Sequence, residues 1–440
     1  MLLIKSLYRF LIRNRLSAVD NTIDQMAKYS TRNAIEAFQV EKFNVIWKNA
    51  CTNVPFYAQW RDKYDLPELI SSLSELESWP VLTKSDLRNL DLFKRSDIIE
   101  PKGRILTGGS TGEPIRLPSF GDATSGVNQM VGRCKYGIES GDRTFLLWGH
   151  EHLYGTGLKR KINAFKRRLK DWLGGWKRVS AYDLGESAMR EAYCSFSKFR
   201  PKFIIGFSPA VLAFVRHNKD KAKRVDSVKV ILCTAGPLSN DEKAEIEDFF
   251  GGVVCMEYGS VECGVMAYTR PRDGQYDVFW NTHLLQAQKQ SDGEYKNLVT
   301  RLIDCYVPLI RYDIGDYLDL DCANEEENKR SVLEIKSVKG RPSEMINFKC
   351  GVSFFGALIG DSVKQVHNII SSQIAVDELK DRLEIRVTAS RLLSNEDKEL
   401  IVNRLQLTVK GIENVSVSVE QKEKLFTTVG GKIPRIIKLK

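Results

Sequence analysis

The stretch Thr107-Gly-Gly-Ser-Thr-Gly-Glu-Pro114 sets three glycines and three hydroxyls in eight residues, directly after the apolar pair Ile105-Leu106. Glycines admit φ > 0 and bring backbone N–H groups close to an anion. Hydroxyls at Thr107, Ser110 and Thr111 add donors that can follow a phosphate as it moves. The chemistry suggested is a cradle for nucleotide phosphates built from Thr107, Gly108, Gly109, Ser110, Thr111 and Gly112. It is not a Walker loop, whose last glycine precedes Lys and then Ser or Thr, because Glu113-Pro114 follow here. A flexible surface turn has the same composition, so the rest of the chain must decide.

Three further segments carry groups of the right kind. Glu257-Tyr-Gly-Ser-Val-Glu262 offers an aromatic that can stack on a base, a close-approach glycine and an acid that can hold Mg²⁺. Pro308-Leu-Ile-Arg-Tyr-Asp-Ile-Gly-Asp316 ends in a carboxylate suited to ribose hydroxyls. Gly430-Gly-Lys-Ile-Pro-Arg435 places Lys432 on a glycine-loosened segment. Taken singly, each also reads as a turn, a solvated acid or a basic tail.

These groups need a scaffold. Phe203–Phe207, Val228–Thr234 and Val253–Tyr258 are β-rich apolar runs, and 209–218 and Asn240–Phe250 between them have helical spacing. Thr144–Trp148 is a further strand and Ser125–Tyr136 a helix whose start faces bound phosphate. Strand–helix alternation predicts an α/β domain whose ligand sits at the carboxyl ends of the strands, where Ala235-Gly236 and Tyr258-Gly259 fall. A boundary is expected near Gly340-Arg341-Pro342. Beyond it, Leu383–Ala389, Asn395–Thr408 and Val415–Val419 give β-α-β order, a small α+β domain over 341–440 after a large one over 1–340.

Composition narrows the class. Lysine and arginine total 66 against 56 acids, a formal charge of +10 that attracts nucleotides, CoA, nucleic acid or an acidic membrane without choosing among them. Nine scattered cysteines with no C-x-x-C predict a reduced, cytoplasmic setting, and the five histidines lack zinc-site spacing. Two segments join apolar residues at helical spacing to many cations. One is Met1–Leu16, with Leu3, Leu7, Phe10 and Leu11. The other is Lys159–Arg178, with nine Lys or Arg among Ile162, Phe165, Leu169, Trp172, Leu173 and Trp176. Each reads either as a helix packed on its own domain by its apolar stripe or as a contact with lipid headgroups, peripheral at the inner face of the membrane; for Lys159–Arg178 a phosphate-rich partner is the further alternative.

Taken in order, the segments resemble the adenylate-forming superfamily of acyl-CoA synthetases and adenylation domains, and within it the phenylacetate–CoA ligase family and its CapK-type capsular-polysaccharide relatives. Thr107–Pro114 is similar to that superfamily's phosphate loop, Tyr258–Glu262 to its Tyr-Gly-x-Thr-Glu motif and Arg311–Asp316 to its ribose-binding aspartate motif. Gly340-Arg-Pro-Ser-Glu344 stands for the hinge motif Gly-Arg-x-Asp-Asp, and Gly431–Arg435 for the C-terminal Gly-Lys-x-x-Arg pattern. Val54-Pro-Phe-Tyr57, Pro80-Val-Leu-Thr-Lys84 and Ile205-Gly-Phe-Ser-Pro-Ala210 extend the resemblance along nearly the whole chain. Val261 replaces the usual Thr, Ser343-Glu344 replace two acids, and Tyr268-Thr269 replace a Glu-Cys pair that some relatives carry, which weakens the case for zinc.

The resemblance implies a large α/β domain and a small α+β domain joined by a hinge at Arg341 and Ser343. It implies ATP-dependent formation of an acyl-AMP with release of pyrophosphate, then transfer to CoA or another acceptor, in surface polysaccharide or related acyl metabolism. Lys432 and Glu262 are the implied catalytic residues, Glu262 through Mg²⁺. Ala235, Gly236, Glu257 and Tyr258 would hold adenine, with Gly259 and Ser260 also binding ATP, Asp316 and Arg341 would fix the ribose, and Trp148, His150, Phe207 and Ser208 would lie near the acyl group. No nucleic-acid partner is expected. Two other outcomes fit the same motifs: transfer of AMP itself to an acceptor, and a degenerate site in a membrane-associated polysaccharide assembly protein.

Overall fold

The computed structural model describes the chain except for residues 1, 89–92, 98–102, 107–115, 120–122, 149–156, 180–185, 220–226, 340–344, 356–358, 360–362, 364–365, 367–368, 390, 410, 424, 427–435 and 440. The expectations for Thr107 to Gly112, His150, Arg341, Ser343 and Lys432 therefore lie outside the described residues.

The chain begins with helices α1 (Leu2–Leu11), α2 (Arg13–Lys28), α3 (Arg32–Asn53) and α4 (Pro55–Tyr64). Thr31 caps α3, its hydroxyl accepting from Ala34 N at 3.3 Å, and Pro55, which has no N–H to leave unpaired, opens α4. A short antiparallel pair follows, β1 (Gly103–Leu106) with β2 (Arg116–Ser119). Then come α5 (Thr124–Cys134), β3 (Thr144–Leu147), α6 (Gly157–Leu173), β4 (Trp176–Val179), α7 (Glu186–Phe199), β5 (Phe203–Phe207), α8 (Ser208–Asn218), β6 (Val230–Thr234), α9 (Asn240–Phe250) and β7 (Val253–Ser260). Ser239 and Glu242 form a reciprocal capping box at the start of α9, and Gly251 closes it in the left-handed region at φ 71°.

Strands β8 (Gly264–Thr269) and β9 (Tyr276–Val278) fold back, and β10 (His283–Lys289), β11 (Tyr295–Arg301) and β12 (Tyr312–Asp319) form a meander. After α10 (Glu325–Arg330) come β13 (Glu334–Ile335) and β14 (Ser337–Lys339). Eight strands make the main sheet in the order β13-β9-β8-β7-β6-β5-β3-β4, parallel from β4 to β7 and antiparallel beyond. The meander and β14 make a second sheet of four.

Strands β3, β5 and β6 read Thr-Phe-Leu-Leu, Phe-Ile-Ile-Gly-Phe and Val-Ile-Leu-Cys-Thr and are buried almost throughout, as a parallel sheet covered on both faces requires. Side chains alternate between two cores. Leu146, Phe203, Ile205 and Leu232 meet Val19, Val127 and Val131 of α2 and α5. On the other face Phe145 meets Phe196 of α7 and Phe214 of α8, which stacks on Phe250 of α9. Gly206 is required in the middle of this packing, since a Cβ there would come within 2.7 Å of Val211 and 2.9 Å of Leu147.

The basic segment differs from its sequence reading in two ways. Helix α6 stops at Leu173, a Gly174-Gly175 turn follows, and Trp176–Val179 is the edge strand β4. Of its apolar residues, Ile162, Phe165, Leu169 and Trp172 are exposed instead of packed, whereas Leu173 is half-buried and Trp176 packs against the core.

The chain divides into two compact units with a break after Lys339. In the C-terminal unit, β15 (Met345–Asn347) pairs with β16 (Ser353–Phe355). Strands β17 (Ile369–Asp377), β18 (Arg382–Ala389), β19 (Ser416–Gln421) and β20 (Ile436–Lys438) form a sheet in the order β19-β18-β17-β20. The helix Asn395–Thr408 links parallel strands β18 and β19, and its Ile401 and Leu405 are buried with Ile385 and Val387. No helix among the described residues is long and apolar enough to cross a membrane.

Candidate active site

The carboxyl ends of β3, β5, β6 and β7 lie side by side because these strands are parallel and adjacent. Trp148 follows β3, and its N–H donates to Val179 O at 3.0 Å. Phe207 ends β5. Their rings pack with centroids 4.4 Å apart at an interplanar angle of 37°, an aromatic wall at the strand ends. Ser208, buried at the start of α8, directs its hydroxyl at two carbonyls, Thr234 O at 3.1 Å and Gly236 O at 2.8 Å. One proton serves both, so Ser208 positions the turn after β6.

That turn is strained. Ala235 holds φ 62°, a left-handed conformation that an L side chain resists. Thr234 donates from Oγ1 to Glu257 O at 3.3 Å, fastening the turn to β7. Ala235 and Gly236 therefore stand beside Glu257, as their proposed common task requires.

Glu257 faces Tyr268 across the β7–β8 ladder, and the buried Tyr268 phenol donates to its carboxylate. Thr269 accepts from Met256 N at 2.9 Å through Oγ1. The Tyr268-Thr269 pair thus holds β8 to β7 and fixes Glu257. Gly259 sits at a bulge where a Cβ would come within 2.5 Å of Gly264 O. Ser260 Oγ accepts from Cys263 N at 3.0 Å and closes the tight turn that follows. Val261 points outward and is exposed.

Strand β12 of the second sheet reaches this turn twice. Tyr258 donates from its phenol to Asp316 Oδ2 at 3.1 Å and accepts from Asn297 Nδ2 of β11 at 2.9 Å. Four residues before Asp316, Tyr312 donates to Glu262 Oε1 at 3.2 Å. Burial, and then the Asp316 charge, push the Tyr258 phenol well above its ordinary pKa, so it stays a neutral donor at working pH. Glu262 is buried and lines a small cavity with Arg301, Ser119 and Tyr306. Arg311, just before β12, is buried with φ 49° and donates to Gln286 Oε1 at 3.0 Å, while burial lowers its guanidinium pKa to about 10. It braces the strand that carries Tyr312 and Asp316.

The structure brings together Ala235, Gly236, Glu257, Tyr258 and Asp316 through these contacts, and Trp148 with Phe207. Sequence reasoning did not pick out Asn297, Tyr312 or Thr234 as contributors. Tyr312 lies inside the quoted Pro308–Asp316 segment, and its spacing of four from Asp316 on a strand was the available signal, since alternate positions share a face. Asn297 lies in a strand that the sequence reading left unassigned.

One carboxylate in contact with a cavity is the donor set that Mg²⁺ takes when substrate phosphates supply most of its ligands. Glu262 fits that pattern. No cluster of three or more His, Cys, Asp or Glu able to hold a metal by itself occurs among the described residues.

No protein-family model matches the chain. Protein CapK of Staphylococcus aureus is 22% identical over 414 residues, 91% of this chain and 88% of that protein. Crystal structures of 2-hydroxyisobutyryl-CoA ligase superpose across both units. Its postadenylation state in complex with R3-HIB-AMP matches with a TM-score of 0.58 at 15% identity, over 92% of this chain and 89% of that one. Its thioesterification state with 2-HIB-AMP and CoA matches with a TM-score of 0.57 at 15% identity, over 93% and 91%. At such identities the likeness is one of fold, and it agrees with the order of motifs along the sequence. This chain has the two-domain fold of the adenylate-forming enzymes, with a large α/β unit and a smaller strand-rich C-terminal one.

Proposed function

We propose that the protein activates a carboxylic acid with ATP. In the first step a carboxylate oxygen of the substrate attacks the α-phosphorus, the bond to the bridging oxygen breaks, and pyrophosphate leaves, giving an acyl-AMP. In the second, the thiol of CoA or another acceptor attacks the acyl carbon, loses its proton, and AMP departs. The observation that carries this reading is the Asn297–Tyr258–Asp316 chain of hydrogen bonds beside the Ala235-Gly236 turn, at the carboxyl edge of a parallel sheet in this fold.

In this reading Tyr258 and Glu257 lie along the adenine, Ala235-Gly236 give it a backbone edge, and the Asp316 carboxylate accepts from the ribose hydroxyls. Arg341 is assigned to the ribose too. The Thr107–Gly112 segment is assigned to the β- and γ-phosphates, with Gly259 and Ser260 beside them. Lys432 is assigned to the oxygens between carboxylate and α-phosphate, where negative charge concentrates in the transition state. Mg²⁺, held by Glu262 together with phosphate oxygens, would neutralise the leaving pyrophosphate. Tyr312 keeps the Glu262 carboxylate in place for that role. Trp148 and Phe207, with His150 and Ser208, are assigned to the acyl end, where an aromatic wall favours an apolar or planar acid. The domain boundary assigned at 340/341, with Arg341 and Ser343 as hinge, lets Lys432 serve the first step and withdraw for the second.

The motif resemblance to CapK-type capsular-polysaccharide relatives, with Protein CapK 22% identical, supports an acyl group destined for surface polysaccharide or related acyl metabolism. The test is pyrophosphate release from ATP over a panel of aryl, fatty and amino acids, with and without CoA. Acid-dependent release that yields a thioester supports the reading. A stable AMP-labelled acceptor with no acyl product would replace it with adenylyl transfer.

A further inference from the structure

Helices α1 and α6 lie against one another, α6 also packing on the edge strand β4. Both leave an apolar stripe exposed to solvent, while Asp171 of α6 and Lys5 of α1 turn toward the domain. On α6, Ile162, Phe165, Leu169 and Trp172 recur at i, i+3, i+7 and i+10, one narrow stripe of the helix. They are 46–68% exposed. On α1, Leu3, Leu7, Phe10 and Leu11 form a second stripe, 50–86% exposed.

The inner faces explain how the helices stay docked. Asp171, opposite the α6 stripe and buried, accepts from Arg178 Nε and Nη2 of β4, both at 3.1 Å. On α1, Lys5 donates to Glu139 at 2.8 Å and Asp142 at 2.7 Å, and Tyr8 meets the edge of Trp176 at 6.4 Å between centroids. Gly141, at φ 89°, passes so close that a Cβ would lie 2.9 Å from Lys5 Cγ. With the helices fixed by polar ties, the stripes stay largely exposed among the described residues.

Charge selects the occupant. Lys161 and Arg168 flank one side of the α6 stripe, Lys166 and Lys170 the other, and the Arg13 guanidinium lies 4.5 Å from the Phe10 ring centroid beside the α1 stripe. Asp171 is the single acid on α6 and is turned inward; α1 has none. A second copy of the chain would bring these cations against each other. Phosphate headgroups above an acyl boundary complement them: apolar side chains enter and long cationic side chains reach back to the phosphates. We propose that the α1–α6 face docks on an anionic lipid bilayer and holds the protein at its surface.

The experiment is co-sedimentation of the full chain with vesicles of phosphatidylcholine, with or without phosphatidylglycerol, at low and high salt. Three variants accompany it: Phe165→Ser/Trp172→Ser, Leu7→Ser/Phe10→Ser, and Lys166→Glu/Lys170→Glu. All six positions are exposed or at the surface, and circular dichroism checks that the fold is kept. Binding to the phosphatidylglycerol vesicles alone is expected, weakened by salt and reduced about tenfold or more in each variant. Absence of co-sedimentation at low salt would overturn the proposal, as would apolar variants that bind like the wild type. Self-association in light scattering that the apolar variants abolish would assign the face to a second copy instead. None of these outcomes depends on the acyl-activation reading.

Discussion

The phenol of Tyr258 on β7 donates to Asp316 on β12 across 3.1 Å, joining the two sheets of the large unit at the candidate nucleotide site. The carboxylate proposed to accept from ribose is thereby tied to β7.

Tyr258→Phe removes that donor and leaves Asn297 Nδ2 without the acceptor it has at 2.9 Å. Leaving a buried donor unpaired costs about 1–3 kcal/mol. The expected outcome is a KM for ATP raised roughly tenfold and a lower melting temperature, measured by pyrophosphate exchange and thermal unfolding. An unchanged KM would remove Asp316 from the nucleotide site.

Tyr312→Phe tests the metal role proposed for Glu262. The variant loses the 3.2 Å bond to Glu262 and keeps the ring in the core. Loss of such an orienting partner typically costs 10–100-fold in metal affinity. The Mg²⁺ concentration for half-maximal activity is expected to rise by about that factor, with kcat recovering at saturating Mg²⁺. An unaltered Mg²⁺ titration would contradict the assignment.

Much of the main sheet was legible because parallel strands buried on both faces leave continuous apolar runs, and Asn240–Phe250 and Asn395–Thr408 start and stop where capping residues put them. The meander β10–β12 was not, because His283–Lys289 and Tyr295–Arg301 mix polar and apolar residues without clean alternation, several of their polar side chains being buried in hydrogen bonds. Pairing across sheets was hidden for a different reason. Tyr258 and Asp316 lie 58 residues apart, and their types alone do not say that they touch. The basic segment was readable as a helix, yet the direction in which its stripe faces follows from the Asp171–Arg178 tie, which spacing does not reveal.

Gly132 tests how α5 is set against β8. A Cβ on it would collide with the buried Tyr268 ring, the ring whose phenol holds Glu257. Gly132→Ala is expected to cost about 1–3 kcal/mol of stability by overpacking. Chemical denaturation measures this, and a neutral result would show that α5 can shift without disturbing Tyr268.

The docking of α1 should depend on pH through Asp142 and Glu139. Burial opposes ionisation of Asp142, but Lys5, the Glu139 N–H and Lys202 outweigh it and hold its pKa below the ordinary 3.8. Glu139 is lowered chiefly by the Lys5 hydrogen bond. Lys5 is raised, with burial opposing and the two carboxylates prevailing. Depressed carboxylates contribute stability that is present above their unfolded pKa and lost as pH falls through the folded value. The raised lysine contributes below 10.5 and is lost as pH climbs past it. Amide protection factors in α1, corrected for the intrinsic pH dependence of exchange, should therefore be high and flat through neutral pH and fall below 3.8. Lys5→Met should show low protection at neutral pH as well.

Pyrophosphate release by wild type and Lys432→Ala, on the acid that the panel selects, tests the central claim most directly. Acid-dependent release that falls by about 10²–10³ in the variant, with ATP binding retained, is the result predicted for a residue that meets charge at the α-phosphate. Equal release by the two proteins, or none from any acid in the wild type, would contradict carboxylate activation at this site.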